Sequence, residues 1–109
     1  LKTKVDDPVD YPLEYDFKDF LPKLYMGPTK YKLVAVAHHE GNNVQSGHYF
    51  ATVLSDVDCK WYKYSDQSVQ VISHTQDLFS HRMKQSAYVF FFTQLPKQPV
   101  SIQRLPATL

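Results

Sequence analysis

The stretch from Ser46 to Asp66, S-G-H-Y-F-A-T-V-L-S-D-V-D-C-K-W-Y-K-Y-S-D, decides the fold. Its two outer parts, 47–54 and 59–65, are rich in the β-branched and aromatic residues that strands favour. The polar run 55–58 between them is typical of a turn. The pattern therefore predicts an antiparallel β-hairpin. His48 stands at the entry to its first strand and is the residue from which we expect chemistry.

The length of the turn determines which residue faces His48 across the hairpin. A four-residue turn at 55–58 puts Ser65 opposite His48, with Cβ atoms about 4.5 to 5.5 Å apart. A three-residue turn, or a bulge, puts Asp66 there instead. Because successive side chains point to opposite faces, a regular register excludes having both beside His48. An aspartate would stabilise an imidazolium, whereas a serine would orient the ring without adding charge.

Further strands are expected on both sides of this hairpin. Residues 31–38 (YKLVAVAH) are apolar on both faces, which predicts a central strand. The polar residues 40–46 (EGNNVQS) then predict a loop between this strand and the hairpin. Two later strands are expected at 69–72 and, buried, at 87–93.

One helix is expected near the C-terminal end. Residues 73–76 have the S-x-x-Q form of a capping box, and the helix that follows would bury Leu78 and Phe79. The sequence thus predicts an α+β fold, an antiparallel sheet of five or six strands with one short helix. Residues 95–109 carry prolines and little periodicity, which predicts a tail or linker after a folded part at 1–94.

Composition and charge exclude several classes of function. The chain has 109 residues and a net charge of +1, so no strong field favours nucleic acid or an anionic membrane. No apolar run approaches the ~20 residues that a spanning helix requires. Cys59 is the only cysteine, which excludes a disulfide or a Cys-based zinc site within the chain and fits a cytoplasmic or nuclear protein.

Three histidines raise a metal site as an alternative. His38 and His39 are adjacent on a predicted strand, so their side chains point to opposite faces and only one could join His48. Without further ligands, we expect neither a metal nor another cofactor.

Five stretches in the same order carry a resemblance to a known family. They are V-D-Y-P-L from Val9, Y-K-L-V-A-V-A-H-H-E-G from Tyr31, S-G-H-Y-F-A-T-V from Ser46, W-Y-K-Y-S-D-Q-S-V from Trp61 and S-A-Y-V-F-F-F from Ser86. Together they resemble the C-terminal, His-box half of the catalytic domain of ubiquitin-specific proteases, the papain-like cysteine deubiquitinases. The resemblance implies a hand-like fold in which this chain supplies the palm.

The resemblance also implies roles for individual residues. His48 would be the general base that takes the proton of the catalytic cysteine. The segment from His39 to Ser46 would be a blocking loop that moves when ubiquitin binds. The residues expected to contact the ubiquitin tail are His39, Glu40, Gly41, Ser46, Gly47 and Tyr49.

Two features depart from the family pattern. The N-G-N-T-C type of motif that would carry the nucleophile is not in this sequence, and Cys59 is expected to be a small strand residue near the turn, far from His48. At the third catalytic position, where the family most often has Asp or Asn, stands Ser65, followed by Asp66. Either residue could orient His48.

We therefore expect the His-bearing part of a ubiquitin-specific thiol protease, inert alone because its nucleophile comes from the Cys-bearing thumb half. Its partners would be that half and ubiquitin or a ubiquitinated protein, with no nucleic acid and no membrane. The alternative is a catalytically inactive ubiquitin-binding or scaffold module. Because one short helix cannot cover both faces of the sheet, we also expect an exposed apolar face where the thumb would dock.

Overall fold

An antiparallel sheet of six strands makes up most of the protein. The structure is a computed structural model, and it describes residues 8–41 and 46–96. The strands are β1 (Glu14–Asp16), β2 (Lys30–Glu40), β3 (His48–Leu54), β4 (Trp61–Ser65), β5 (Ser68–Ile72) and β6 (Ala87–Gln94). In these ranges one α-helix, α1 (His81–Ser86), and two 3₁₀ helices, Lys18–Phe20 and Thr75–Phe79, accompany the sheet. The predicted α+β fold is confirmed.

β2 is the central strand that its two apolar faces predicted. It pairs along one edge with β6 and along the other with β1 and then β3, and β4 and β5 follow β3 outward. The strand continues past its predicted end at His38 through Glu40, which pairs with His48. The predicted loop therefore begins at Gly41 rather than Glu40, and its residues 42–45 lie outside the described ranges.

The hydrophobic core lies on one face of the sheet, against the second 3₁₀ helix and α1. Leu78 of that 3₁₀ helix and Val36 of β2 are fully buried, and burial of such a side chain stabilises the fold by about 2 kcal/mol. Tyr11 donates its hydroxyl proton to the Leu78 carbonyl, and burial raises the pKa of Tyr11 to about 12. The buried cluster consists of Tyr11, Leu33, Val36, Trp61, Leu78 and Ala87.

The opposite face of the sheet is apolar and open to solvent, which confirms the exposed apolar face, whereas docking of the thumb on it stays a prediction. Two rows of side chains, neighbours in the strand registers, cross this open face from β5 to β6. One row is Val69, Tyr64, Ala51, Ala37 and Val89, and the other is Val71, Tyr62, Val53, Ala35 and Phe91. At the two ends of the second row, Val71 is 48% exposed and Phe91 52%. The prediction of a buried strand at 87–93 is therefore wrong, because β6 lies at an edge of the described sheet and has one uncovered face.

The predicted single helix is divided into two short ones. The 3₁₀ helix Thr75–Phe79 has His74 at its N-terminal cap position and lacks a side-chain cap, so the capping box predicted from Ser73 is wrong. Ser80, with extended backbone angles, separates this helix from α1. Its hydroxyl accepts from the backbone N–H of Met83 at 3.3 Å and so caps α1.

The turn between β3 and β4 is longer than either predicted register allows. A backbone hydrogen bond of 2.8 Å from Ser55 N to Lys60 O closes the turn, and β4 begins only at Trp61. Cys59 lies inside the turn with a φ of 59°, a left-handed conformation that a regular strand does not accommodate. The expectation that Cys59 is a strand residue is wrong, and its side chain is exposed.

The longer turn shifts the register of the hairpin. Ser65 lies opposite Phe50, so the two predictions that placed Ser65 or Asp66 directly opposite His48 are both wrong. Asp66 and Gln67 instead form the tight turn from β4 to β5, in which Asp66 has a φ of 53°.

Candidate functional site

His48 and Ser65 make a hydrogen bond despite the shifted register. The Nε2 atom of His48 lies 2.7 Å from the hydroxyl oxygen of Ser65. The shift moves Ser65 along β4 by an even number of residues, so its side chain stays on the face of the sheet that His48 occupies. Diagonal neighbours of this kind are within reach of a long side chain.

This hydrogen bond decides which nitrogen of His48 is available for chemistry. Because Nε2 is engaged by Ser65, Nδ1 is the nitrogen left to exchange a proton with another group. A serine hydroxyl both donates and accepts, so Ser65 orients the ring in either tautomer and adds no charge. The other candidate partner, Asp66, is exposed in the turn that follows β4.

Glu40 faces the same site and is held by α1. It lies directly opposite His48, and Arg82 of α1 forms a two-point ion pair with it, with Nε–Oε2 at 2.5 Å and Nη2–Oε1 at 2.9 Å. The hydrogen bond from Arg82 is the main reason that the pKa of Glu40 lies below its usual range. The ion pair therefore ties the end of β2 to α1 next to the histidine.

Two glycines bring the ends of the predicted blocking loop together. Gly41 and Gly47 have φ values of 151° and 114°, which side-chain-bearing residues rarely adopt. A Cβ atom on Gly47 would lie 2.0 Å from the carbonyl oxygen of Glu40, and one on Gly41 would lie 2.8 Å from that of Ser46. We call this close approach the glycine neck. It fixes the entry of β3, and with it the position of His48.

The residues expected to contact the ubiquitin tail are divided between the two faces of the sheet. Glu40 shares the face of His48, whereas His39 and Tyr49 pair with each other on the opposite face. Their rings lie 4.3 Å apart, and His39 donates through Nε2–H to the carbonyl oxygen of Ser46 at 2.6 Å. His39 therefore stabilises the glycine neck from the open face.

His38 belongs to a buried hydrogen-bond chain rather than to a group of metal ligands. Its Nδ1 lies 2.9 Å from the hydroxyl of Ser86 and its Nε2 lies 3.1 Å from that of Thr52. Ser86 donates its only hydroxyl proton to the carbonyl oxygen of Arg82 at 2.8 Å, so it accepts from His38, and Thr52 must donate to Nε2. Within residues 8–41 and 46–96, no group of three or more His, Cys, Asp or Glu side chains could hold a metal ion.

Burial lowers the pKa of His38 to about 4, so its ring is neutral near pH 7. This ring stacks on Phe50, and Phe50 in turn stacks beside His48. The sequence signals that singled out His48 carried no information about His38 or Phe50. Strand periodicity places Phe50 on the face of His48, but the contact across strands depends on the register.

Cys59 is remote from His48. β3 runs from His48 to Leu54 before the turn that holds Cys59, and at about 3.3 Å per residue this strand separates the two by about 20 Å.

Among the described residues, no helix is long and apolar enough to cross a membrane.

Sequence comparison relates the chain to one family. The sequence model of the family described as ubiquitin carboxyl-terminal hydrolase matches residues 1–92. Ubiquitin carboxyl-terminal hydrolase 15 of Homo sapiens is 36% identical over 93 residues, which cover 84% of this chain and 9% of that protein. Ubiquitin carboxyl-terminal hydrolase 17-like protein D of Mus musculus is 40% identical over 92 residues, covering 84% and 16%.

Structural comparison finds the same fold in larger proteins. A chain of the SAGA DUB module of Ubp8, Sgf11, Sus1 and Sgf73 bound to monoubiquitin matches with a TM-score of 0.70 and 27% identity, over 88% of this chain and 20% of that one. A chain of the module bound to ubiquitin aldehyde matches with a TM-score of 0.71 and 25% identity, over 88% and 21%. The chain thus spans only a small part of the length of the relatives it matches.

Proposed function

Because this chain belongs to the ubiquitin carboxyl-terminal hydrolase family, we propose that it is the His-bearing palm part of a ubiquitin-specific thiol protease. Such an enzyme cleaves peptide or isopeptide bonds after the C-terminal glycine of ubiquitin. The observation that carries the proposal is the contact of 2.7 Å between His48 Nε2 and the Ser65 hydroxyl. It joins two residues at the positions where the family resemblance expects the base and its orienting partner.

In the proposed mechanism, the Nδ1 atom of His48 accepts the proton of a cysteine thiol. The thiolate attacks the carbonyl carbon of the terminal glycine, and the imidazolium returns the proton to the leaving amine as the C–N bond breaks. A thioester between the cysteine and ubiquitin remains. His48 then takes a proton from water, the resulting hydroxide attacks the thioester, and the thiolate leaves. Ser65 keeps the ring in one orientation throughout.

The thiol in this mechanism comes from the Cys-bearing thumb half of the enzyme. Cys59 is unsuited to the role, because it lies at the far end of the hairpin from His48. The partners would be this thumb half and ubiquitin or a ubiquitinated protein. Support for ubiquitin comes from the similar chain in a SAGA DUB module, which is described as bound to monoubiquitin. On its own, the 109-residue chain would be inert.

The test uses the complete catalytic domain that contains this chain and a fluorogenic ubiquitin substrate. We expect His48→Ala to abolish hydrolysis, whereas His74→Ala, at an exposed position outside the sheet, keeps it. The unchanged domain should also be captured covalently by a ubiquitin-based thiol-reactive probe. Equal activity of the two variants would contradict the role of His48, and hydrolysis by the 109-residue chain alone would contradict its dependence on a second half.

Two features of the sequence motivate one alternative, a ubiquitin-binding or scaffold module without catalysis: the 109 residues contain no N-G-N-T-C type of motif, and Ser65 stands where the family most often has Asp or Asn. Such a module would bind ubiquitin but would not be labelled by the thiol-reactive probe. Probe capture of the complete domain, with loss of hydrolysis in His48→Ala, would exclude this alternative.

A further inference from the structure

A serine partner leaves the His48 ring incompletely held. One hydrogen bond at Nε2 fixes a single point of the imidazole, and rotation of a histidine ring about its outer side-chain bond is broad. A carboxylate would add a second acceptor oxygen and a charge, both of which Ser65 lacks. A second contact is therefore needed if the ring is to point Nδ1 in a constant direction.

Phe50 provides such a contact. It lies two residues from His48 on the same face of β3, and the two ring centroids are 5.7 Å apart with an angle of 24° between the planes. Near-parallel aromatic rings at this distance attract each other by about 0.5 to 1.5 kcal/mol beyond the effect of burial. The Phe50 ring is only 5% exposed, so neighbouring atoms restrict its movement.

The Phe50 ring is itself held by His38. The two residues lie opposite each other on β2 and β3, with ring centroids 4.5 Å apart and planes within 4°. His38 cannot rotate without breaking its hydrogen bonds to Thr52 and Ser86, which engage both of its nitrogens. Hydroxyl partners from β3 and α1 thus fix the plane of His38, and His38 fixes that of Phe50.

Two cations enclose the same ring. Lys63 Nζ lies 4.6 Å from the centroid of Phe50, and the guanidinium carbon of Arg82 lies 5.3 Å from it. Both distances are in the range of favourable cation–π contacts. Because Arg82 is also paired with Glu40, movement of Phe50 would disturb the link between α1 and β2.

From these contacts we infer that Phe50 is a positioning residue for His48: backed by the buried ring of His38, it holds the plane of the catalytic imidazole while Ser65 holds one nitrogen. The inference rests on the proposed function for the catalytic role of His48. The arrangement of the three rings is independent of that role. Phe50 touches neither the thiol nor the substrate in this mechanism, and it acts only through His48.

The first test measures how firmly the His48 ring is held, by ¹³C relaxation of its ring C–H groups in the complete catalytic domain. The domain with its native sequence should give a high order parameter for this ring. Phe50→Leu should lower the order parameter, and Phe50→Tyr, which keeps the ring, should restore it. Phe92→Leu is the matched control, because it also replaces a phenylalanine ring, on the core side of β6. It should leave the order parameter of the His48 ring unchanged.

His38→Gln is the second variant, and it keeps Phe50 while removing the ring behind it. It should lower the order parameter of the His48 ring, as Phe50→Leu does. The thermal unfolding midpoint identifies any variant that has lost its fold. If only one of Phe50→Leu and His38→Gln is folded, that one is enough to decide whether Phe50 positions His48. An unchanged order parameter of the His48 ring in a folded Phe50→Leu or His38→Gln variant would overturn the inference.

A kinetic measurement separates this inference from the proposed function. In the complete catalytic domain, Phe50→Leu should lower kcat by about 10- to 100-fold with little change in KM, because small errors in the placement of a base are costly. Phe92→Leu should leave kcat unchanged. A domain without any activity would contradict the proposed function, whereas the NMR comparison would still decide the role of Phe50. Equal kcat values for Phe50→Leu and Phe92→Leu would contradict only the positioning role of Phe50 and would leave the proposed function standing.

Discussion

At the scale of single residues, Ser65 sets the limit on what His48 can do. A hydroxyl orients the imidazole through one hydrogen bond, whereas a carboxylate would also stabilise the imidazolium that forms when a thiol is deprotonated. The proposed mechanism therefore depends on orientation more than on charge at this position.

Replacing Ser65 tests this dependence. In the complete catalytic domain, Ser65→Ala should lower kcat/KM by about fivefold, because a hydrogen bond of this kind contributes about 1 kcal/mol. Ser65→Asp should show activity at or above that of the unchanged domain. Ser68→Ala, at the position paired with Ser65 on β5, is the control and should have no effect. Equal kcat/KM values for Ser65→Ala and Ser68→Ala would count against an orienting role.

His38 makes the fold sensitive to acid. Its pKa falls from 6.5 to about 4 on folding, so the unfolded chain binds more protons between these pH values and stability is lost as pH falls through this range. Burial is the main cause. Of the charged groups around it, Lys63 and Arg82 also lower the pKa, and Glu40 raises it.

The size of this effect can be measured by denaturant unfolding at a series of pH values. Between pH 6.5 and 4 the unchanged chain should lose about 3 kcal/mol more of its unfolding free energy than His38→Gln, which cannot titrate there. Carboxylates that do not interact with His38 contribute equally to both curves and cancel in the difference, so Glu40 is the one that does not cancel. Parallel curves for the two proteins would show that His38 is not held neutral by the fold.

At the scale of elements, the glycine neck controls how β2 passes into β3. Gly47→Ala would force a side chain into a φ of 114° and place its Cβ atom against the carbonyl oxygen of Glu40. We expect a loss of about 2 kcal/mol or more in unfolding free energy. Gly27→Ala is the control, because its Cβ meets only the movable end of the Tyr25 side chain, and it should cost much less. Equal losses would contradict the structure of the neck.

The hairpin illustrates how much of the site could be predicted from the sequence. Of the two registers left open, the one with a four-residue turn placed Ser65 on the face of His48. Ser65 does lie on that face, because the observed register differs from this one by an even number of residues. The register itself could not be predicted, since it depends on the left-handed backbone of Cys59, for which a cysteine gives no signal. The stack of His38 on Phe50 depends on a different pairing, that of β2 with β3, whose register the sequence pattern also left undetermined.

Other elements show where local patterns reach their limit. The apolar run at 87–93 correctly predicted a strand, but only the order of strands reveals that β6 is at an edge and half exposed. The helix after β5 was predicted as one element. Ser80 divides it by adopting extended backbone angles, and its own hydroxyl then caps α1.

At the scale of the whole molecule, the open face is opposite to the face that carries His48. Its two rows of side chains cross every strand from β5 to β6, so it is a continuous apolar surface. Surfaces of this kind usually bind other proteins. A second half that brings a thiol to His48 must therefore reach around an end of the sheet if it also covers this face.

The isolated chain should self-associate through the open face. Sedimentation velocity should show an average mass that rises with concentration, and the double variant Val71→Lys, Phe91→Lys should reduce this rise without lowering the thermal midpoint by more than a few degrees. Val57→Lys, which replaces one apolar side chain at the exposed tip of the β3–β4 turn, should leave the rise in mass unchanged. A monomer at all concentrations would show that the open face does not drive association.

The position of Cys59 has a practical consequence. It is the only thiol in the 109 residues, it is exposed, and it lies about 20 Å from His48 along β3. A maleimide dye would therefore attach to the isolated chain at a single known point without occupying the histidine. Energy transfer from this dye to an acceptor on ubiquitin would then report docking directly, even in a chain that cleaves nothing.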